Sequence, residues 1–122
     1  GEVNGQYPQI VIPAKAGIAH GVPMTGSPIG GWVYVMTNKR DGVLYIGVTA
    51  DLPDRVMQHR QGKGSAFCRK YGLDRLIYAE QHSRIEHAIA REKAMKAWKR
   101  DWKIELIERS NPNWDDLFGD SV

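Results

Sequence analysis

The chain has 122 residues, a net charge of +3 and one cysteine, Cys68. This length suits a single domain, a lone thiol excludes an internal disulfide and a cysteine-built zinc site, and no stretch approaches the roughly 18 consecutive apolar residues of a membrane span. A lone thiol also suits a reducing, cytoplasmic setting. No basic segment followed by an apolar run opens the chain, so no secretory leader is expected; Gly1 in place of Met reads as a processing scar.

Residues 1–30 hold four of the six prolines and six of the thirteen glycines, and Glu2 and Lys15 are their only charged side chains. They lack a sustained apolar period and read as a Pro/Gly-rich N-terminal arm, poorly ordered or loosely docked. Within it QIVIP can pair as an edge strand. The compact domain is expected over 31–122. Residues 32–37 and 43–48 read as strands around the turn NKRDG, in which Asp41-Gly42 is the strongest local signal. Asp51 can cap a helix with an early Pro53, running to about Gln61 and stopping at Gly62. GKGSAFCRKYG offers a loop and a short helix ending at Gly72, and residues 75–81 a third strand. Ser83 and Glu86 form a capping-box pattern that opens a long helix to about Trp98 or Arg100. WKIELIE reads as a short strand or turn, and NPNWDDLF as a final capped helical turn. The order β-β-α-α-β-α is not a βαβ repeat. It points to an α+β domain with a small antiparallel sheet flanked by helices.

Charge is unevenly placed. From Arg55 to Lys70 there are five Lys/Arg and no acid, and residues 91–103 are basic and carry Trp98 and Trp102. Basic segments with interleaved aromatics suit a phosphate backbone, although a solvated basic face would read the same way.

Candidate chemistry begins in the hairpin. With the turn centred on residues 40–41, Tyr34 lies across from Gly47 and Met36 across from Tyr45, which puts Tyr34 and Tyr45 diagonally adjacent on one face. Gly47 leaves an opening beside the rings. Taken alone, such a pair is ordinary strand packing. Arg55 and His59, four apart, share a helix face. One offers a donor fork to phosphate and the other titrates near neutrality. On the long helix, Ile85, Ala88, Ile89, Glu92, Met95 and Lys96 follow the core-facing spacing. Glu92 therefore falls in an apolar stripe, either as an i,i+4 ion pair with Lys96 or as a hard oxygen ligand for Mg²⁺.

In combination, these segments resemble the GIY-YIG nuclease family. In WVYV, Val33-Tyr34-Val35 takes the place of the first half-motif; in LYIGVT, Tyr45-Ile46-Gly47 spells the second. Leu52-Pro53-Asp54-Arg55 resembles the family's arginine-bearing helix start, His59 matches a histidine of many members, and REKAMKAWKR resembles the segment with the family glutamate, here Glu92. The likeness spans about residues 31–115 and is nearest to the small single-domain bacterial members. It implies a three-stranded antiparallel sheet flanked by helices and a metal-dependent endonuclease that hydrolyses phosphodiester bonds. Tyr34, Tyr45, Arg55, His59 and Glu92 would be catalytic. One Mg²⁺ (or Mn²⁺) would sit on Glu92, and Arg55 would stabilise charge on the phosphate. Whether Tyr34 or His59 is the base stays open, because a tyrosine near its usual pKa of about 10 is a poor one. Gly47, Lys63, Arg69, Lys70 and Lys96 are the expected substrate-binding residues, with Asn111 as a further support.

The expected partner is DNA, with RNA an alternative, and no membrane. The oligomeric state, monomer or weak homodimer, is not legible. A compact domain with one basic face reads backbone and shape more readily than base edges, which suits structure-selective or weakly specific cutting in repair or recombination. Two other readings compete: a nucleic-acid-binding module that keeps the fold with little or no catalysis, and a protein-interaction domain that docks through the arm.

Overall fold

The structure, a computed structural model, describes residues 10–11 and 30–118. Its organising element is β2 (Gly31–Thr37), which is buried along its whole length. It is a continuous apolar run because both of its faces are covered. It pairs antiparallel with β3 (Leu44–Thr49) on one side and β4 (Arg75–His82) on the other. The expected three-stranded sheet is thus present. A two-residue strand, β1 (Ile10–Val11), adds to the outer edge of β4, with Ile10 opposite Gln81 and Val11 opposite Glu80. The edge strand expected within QIVIP is this one; the rest of the proposed arm lies outside the described residues.

The hairpin register is the one the turn chemistry predicts, with Tyr34 opposite Gly47 and Met36 opposite Tyr45. Asp41 adopts a left-handed backbone, with φ of 59°. The Gly42 amide donates to the Lys39 carbonyl at 2.9 Å, and Asn38 Oδ1 accepts from the Val43 amide at 3.1 Å. Asp and Asn tolerate such turns because their short side chains bond locally to the backbone.

Two helix pairs cover the two faces of the sheet. On one side, α1 (Leu52–Arg60) and α2 (Ala66–Tyr71) bring Leu52, Val56 and Cys68 against Trp32, Tyr34, Met36, Leu76 and Ala79. Asp51 caps α1 by accepting from the Asp54 amide at 3.1 Å, and Ser65 caps α2. On the other side, α3 (Ile85–Ala97) and α4 (Arg100–Ser110) bring Ala88, Met95, Leu106 and Ile107 against Val33, Val35, Ile46, Ile77 and Tyr78. A bulge in β4 opposite Val35 and Met36 lets the consecutive residues Ile77 and Tyr78 both join that second core. Among the described residues no helix is long and apolar enough to cross a membrane.

Three local expectations fail. The Ser83/Glu86 box does not form: the helix starts at Ile85, Arg84 holds the cap position without a side-chain cap, and Glu86 takes the Arg84 guanidinium at 2.6 Å. WKIELIE is not a strand but the body of α4, since Leu106 and Ile107 sink into the core from one face of a run of good helix formers. NPNWDDLF is not a helical turn. Trp114 lies at φ of 58° and is fully buried, and Leu117 donates to the Leu76 carbonyl at 2.7 Å. The tail is thereby laid against β4.

Candidate active site

Three rings from three segments meet beside the β2–β3 pair. Tyr34, from the central strand, is buried. Its hydroxyl lies 2.9 Å from His59 Nε2, delivered from the last turn of α1. Tyr45, one strand over, sits 6.3 Å from Tyr34 and 5.5 Å from His59 between ring centroids. Two glycines make the room. A Cβ on Gly47 would fall 2.5 Å from Tyr34 Cζ and Oη, and one on Gly64 would fall 2.4 Å from His59 Nδ1. Both distances are far inside van der Waals contact, so any side chain there would displace a ring.

Burial governs the protonation states. It holds the Tyr34 phenol well above its ordinary range; the neighbouring Tyr45 adds to this, the Arg55 charge opposes it and the Glu92 charge reinforces it. Tyr34, neutral at pH 7 as any phenol with a pKa of about 10 is, is thereby held still further from ionising and can donate one hydrogen bond. Burial pushes the His59 pKa down and Arg55 pushes it further, so His59 is neutral and can accept a proton. Its Nδ1 is buried with no hydrogen-bond partner among the described residues.

Arg55 and Glu92 reach this cluster from opposite layers. Arg55 is on α1 beside the core residue Val56, and Glu92 is on α3, yet both act electrostatically on the Tyr34 hydroxyl. The Glu92 side chain is 14% exposed and accepts from Lys96 Nζ at 2.8 Å. The i,i+4 ion pair weighed from the sequence is thus formed. Tyr34, Tyr45, Gly47 and His59 thus pack together, Arg55 and Glu92 act on the same hydroxyl, and Lys96 is linked to them through Glu92.

Residues 30–105 match the family model of the GIY-YIG catalytic domain. The chain belongs to the GIY-YIG family. This is a nuclease family. Among similar proteins, a UPF0213 protein of Streptococcus pneumoniae is 35% identical over 79 residues, covering 65% of this chain and 79% of its own. A UPF0213 protein of Bacillus pumilus is 38% identical over 68 residues, covering 56% and 69%. The solution NMR structure of a UPF0213 protein from Bacillus halodurans aligns at 26% identity with a TM-score of 0.47, covering 77% of this chain and 99% of that one.

Lys63, Arg69 and Lys70 are exposed, on the α1–α2 loop and on α2. Arg60, from the same basic run, is tied internally to the Asp116 carboxylate. Asn111 does not support the site. It is fully buried and clamps the tail, donating from Nδ2 to the Ile77 carbonyl at 3.0 Å and the Asp115 carbonyl at 2.8 Å. Trp98 packs on the second core with the Arg91 guanidinium 5.1 Å from its ring centroid, while Trp102 is 54% exposed.

Residue-level reading of the sequence missed two features of this GIY-YIG domain. Gly64 sits in what reads as a plain loop, and only the packed His59 ring reveals why it lacks a side chain. Arg91, the neighbour of Glu92, is buried and donates from Nε to the fully buried Glu80 at 2.7 Å. Glu80 also accepts from the Tyr78 hydroxyl at 2.6 Å and lies 2.9 Å from His82 Nε2. The strand's alternation was the available signal: a glutamate at an inward-facing position must be paired.

The residues also bear on a divalent ion. Among the described residues no group of three or more His, Cys, Asp or Glu side chains is assembled, so an all-protein cage does not fit. A single partly exposed carboxylate, Glu92, fits Mg²⁺, which commonly takes one or two protein carboxylates and keeps its waters.

Proposed function

We propose that this domain is a metal-dependent endonuclease that hydrolyses phosphodiester bonds in DNA, with a structure-selective or weakly sequence-specific preference suited to repair or recombination. The observation that carries the reading is the 2.9 Å contact between Tyr34 Oη and neutral His59 Nε2, with Arg55 and Glu92 both within electrostatic reach of it.

The protonation states support a division of labour. A phenol held above its usual pKa is a poor base by itself. It can accept a proton from an attacking water only as it passes its own to a neighbour, and His59 stands ready to receive it. Tyr34 thus orients the water and His59 acts as the base through it. Arg55 supplies the donor fork that stabilises charge developing on the phosphate. Tyr45 packs against both Tyr34 and His59 and faces the phosphate. Gly47 lets the backbone come close. Glu92 would hold the divalent ion, which supplies Lewis-acid polarisation of the phosphate when bound; Lys96 would turn from Glu92 toward the substrate.

A second reading, a binding module with little catalysis, is favoured by one contact. Lys96 already neutralises Glu92, as it would in a purely structural pair. Cleavage of labelled duplex, single-stranded and branched DNA and of RNA, with Mg²⁺, Mn²⁺ or chelator, tests both. Metal-dependent cutting that is lost in Glu92→Ala supports the nuclease. Binding without cutting, with Glu92→Ala altering only the thermal midpoint, supports the module.

A further inference from the structure

The nuclease reading leaves α2 unexplained. This six-residue helix buries only Cys68. Phe67 and Tyr71, one turn apart on it, stay 44% and 43% exposed. Their rings are 4.9 Å apart between centroids. Phe67 in turn stacks on Tyr45 at 6.1 Å with an interplanar angle of 29°, and Tyr45 meets His59 edge-on at 5.5 Å. An unbroken run of aromatic rings therefore leads from the buried Tyr34–His59 pair to solvent. Cations accompany it: Lys70 Nζ lies 5.3 Å from the Tyr71 ring centroid, and Lys63 and Arg69 are exposed nearby in sequence. No acidic residue occurs between Arg55 and Lys70.

Exposed apolar rings are unfavourable unless something covers them. The charge around these selects a polyanion as the occupant. Within that class, flat rings next to phosphate-binding cations favour bases whose faces are free. In a duplex those faces are already occupied by stacking on neighbouring pairs. We infer that Phe67 and Tyr71, with Lys70 beside the Tyr71 ring and the exposed Lys63 and Arg69 close in sequence, form a stacking platform for unpaired bases beside the site, so that the domain prefers single-stranded segments of nucleic acid over continuous duplex. This inference rests on the nuclease reading for its orientation toward the scissile phosphate, but it is tested by binding without turnover.

The probe is a short single-stranded DNA carrying the fluorescent base 2-aminopurine at successive positions, titrated against the full chain bearing Glu92→Gln in chelator. A duplex of the same sequence is the comparison. Stacking quenches the probe at one or two adjacent positions. Phe67→Leu and Tyr71→Leu keep apolar bulk but remove the ring; each should weaken single-strand affinity on the order of 10-fold, abolish the local quenching and shift duplex affinity less than twofold. Phe67→Trp should restore both signals. Thermal midpoints of all variants check that the fold persists. Equal loss of single-strand and duplex affinity, or no loss of either, overturns the platform. So does a fall in oligomeric state with unchanged oligonucleotide binding, which would assign the rings to contact with a second copy. Cleavage by the wild-type chain keeps the two readings apart. Cutting whose single-strand preference ignores both leucine variants sinks the platform alone, and quenching without any cutting sinks the nuclease alone.

Discussion

At the scale of single residues, the site is a set of burial decisions. Tyr34→Phe keeps the ring packed on Gly47 but removes the hydroxyl that bonds His59. If that hydroxyl relays the proton, cleavage should fall roughly 10²- to 10⁴-fold, the usual range for losing general acid–base catalysis, while single-turnover assays show substrate affinity retained. Gly47→Ala pushes a methyl into the same ring and should cost about 1–3 kcal/mol in chemical denaturation, as overpacking does, together with most activity. His59 gives a pH prediction with a definite sign. Its folded pKa lies below the ordinary value of 6.5 because burial and Arg55 disfavour the imidazolium. Above pH 6.5 neither state binds the proton and His59 has no pH-dependent effect. As pH falls below 6.5 the unfolded chain takes up the proton first, so stability drops until the folded pKa is reached. Thermal unfolding between pH 8 and pH 5 should show a steeper acid-side loss in wild type than in His59→Asn. The difference is at most about 1.4 kcal/mol per pH unit for one proton. The acid limb of the cleavage profile should likewise fall below pH 6.5, since His59 stays neutral to lower pH than a free imidazole.

At the scale of elements, the placement of Glu92 depends on a neighbour. Arg91 is clamped between buried Glu80 and the Trp98 ring, which sets how α3 rotates over β2 and β3 and hence where the next residue points. Glu80→Ala strands a buried guanidinium and should lower stability by about 3–5 kcal/mol, the range for breaking a buried pair from one side; urea denaturation monitored by tryptophan fluorescence would report it. Strand alternation marks Glu80 as inward-facing but does not say what pairs with it, because Arg91 comes from another element. The end of α3 near Trp98 was legible, but the helix that follows it was not. Trp98 and Lys99 are extended with no glycine or proline between the two helices, and the Trp98 ring packs on the second core there. The hairpin, by contrast, was readable to within a residue at its ends, because the Asp41-Gly42 turn sets one register.

At the scale of the molecule, the basic face is narrower than the composition suggests. Arg60 is paired with Asp116 and Lys96 with Glu92, leaving Lys63, Arg69 and Lys70 as the exposed cations of the Arg55–Lys70 run. Binding to single-stranded DNA should therefore weaken with salt. Replacing Lys63 and Lys70 together by alanine should reduce the log–log salt slope by about 1.4, since each phosphate contact on a single strand contributes roughly 0.7. A titration across salt concentrations measures this directly.

What the amino-acid sequence determined by itself was local and periodic: the strand pair and its register, the Asp51-capped helix, the α+β class and the residues that mark the GIY-YIG family. These follow from turn chemistry, caps and alternation, which act over a few residues. What only the tertiary structure decided was how distant groups act on one another: a phenol pushed further from ionising by burial, a histidine held neutral beside an arginine, a loop glycine kept bare by a ring, and a glutamate beside a buried ion pair. Those properties arise from desolvation and packing between segments far apart in the chain, which residue order alone does not carry.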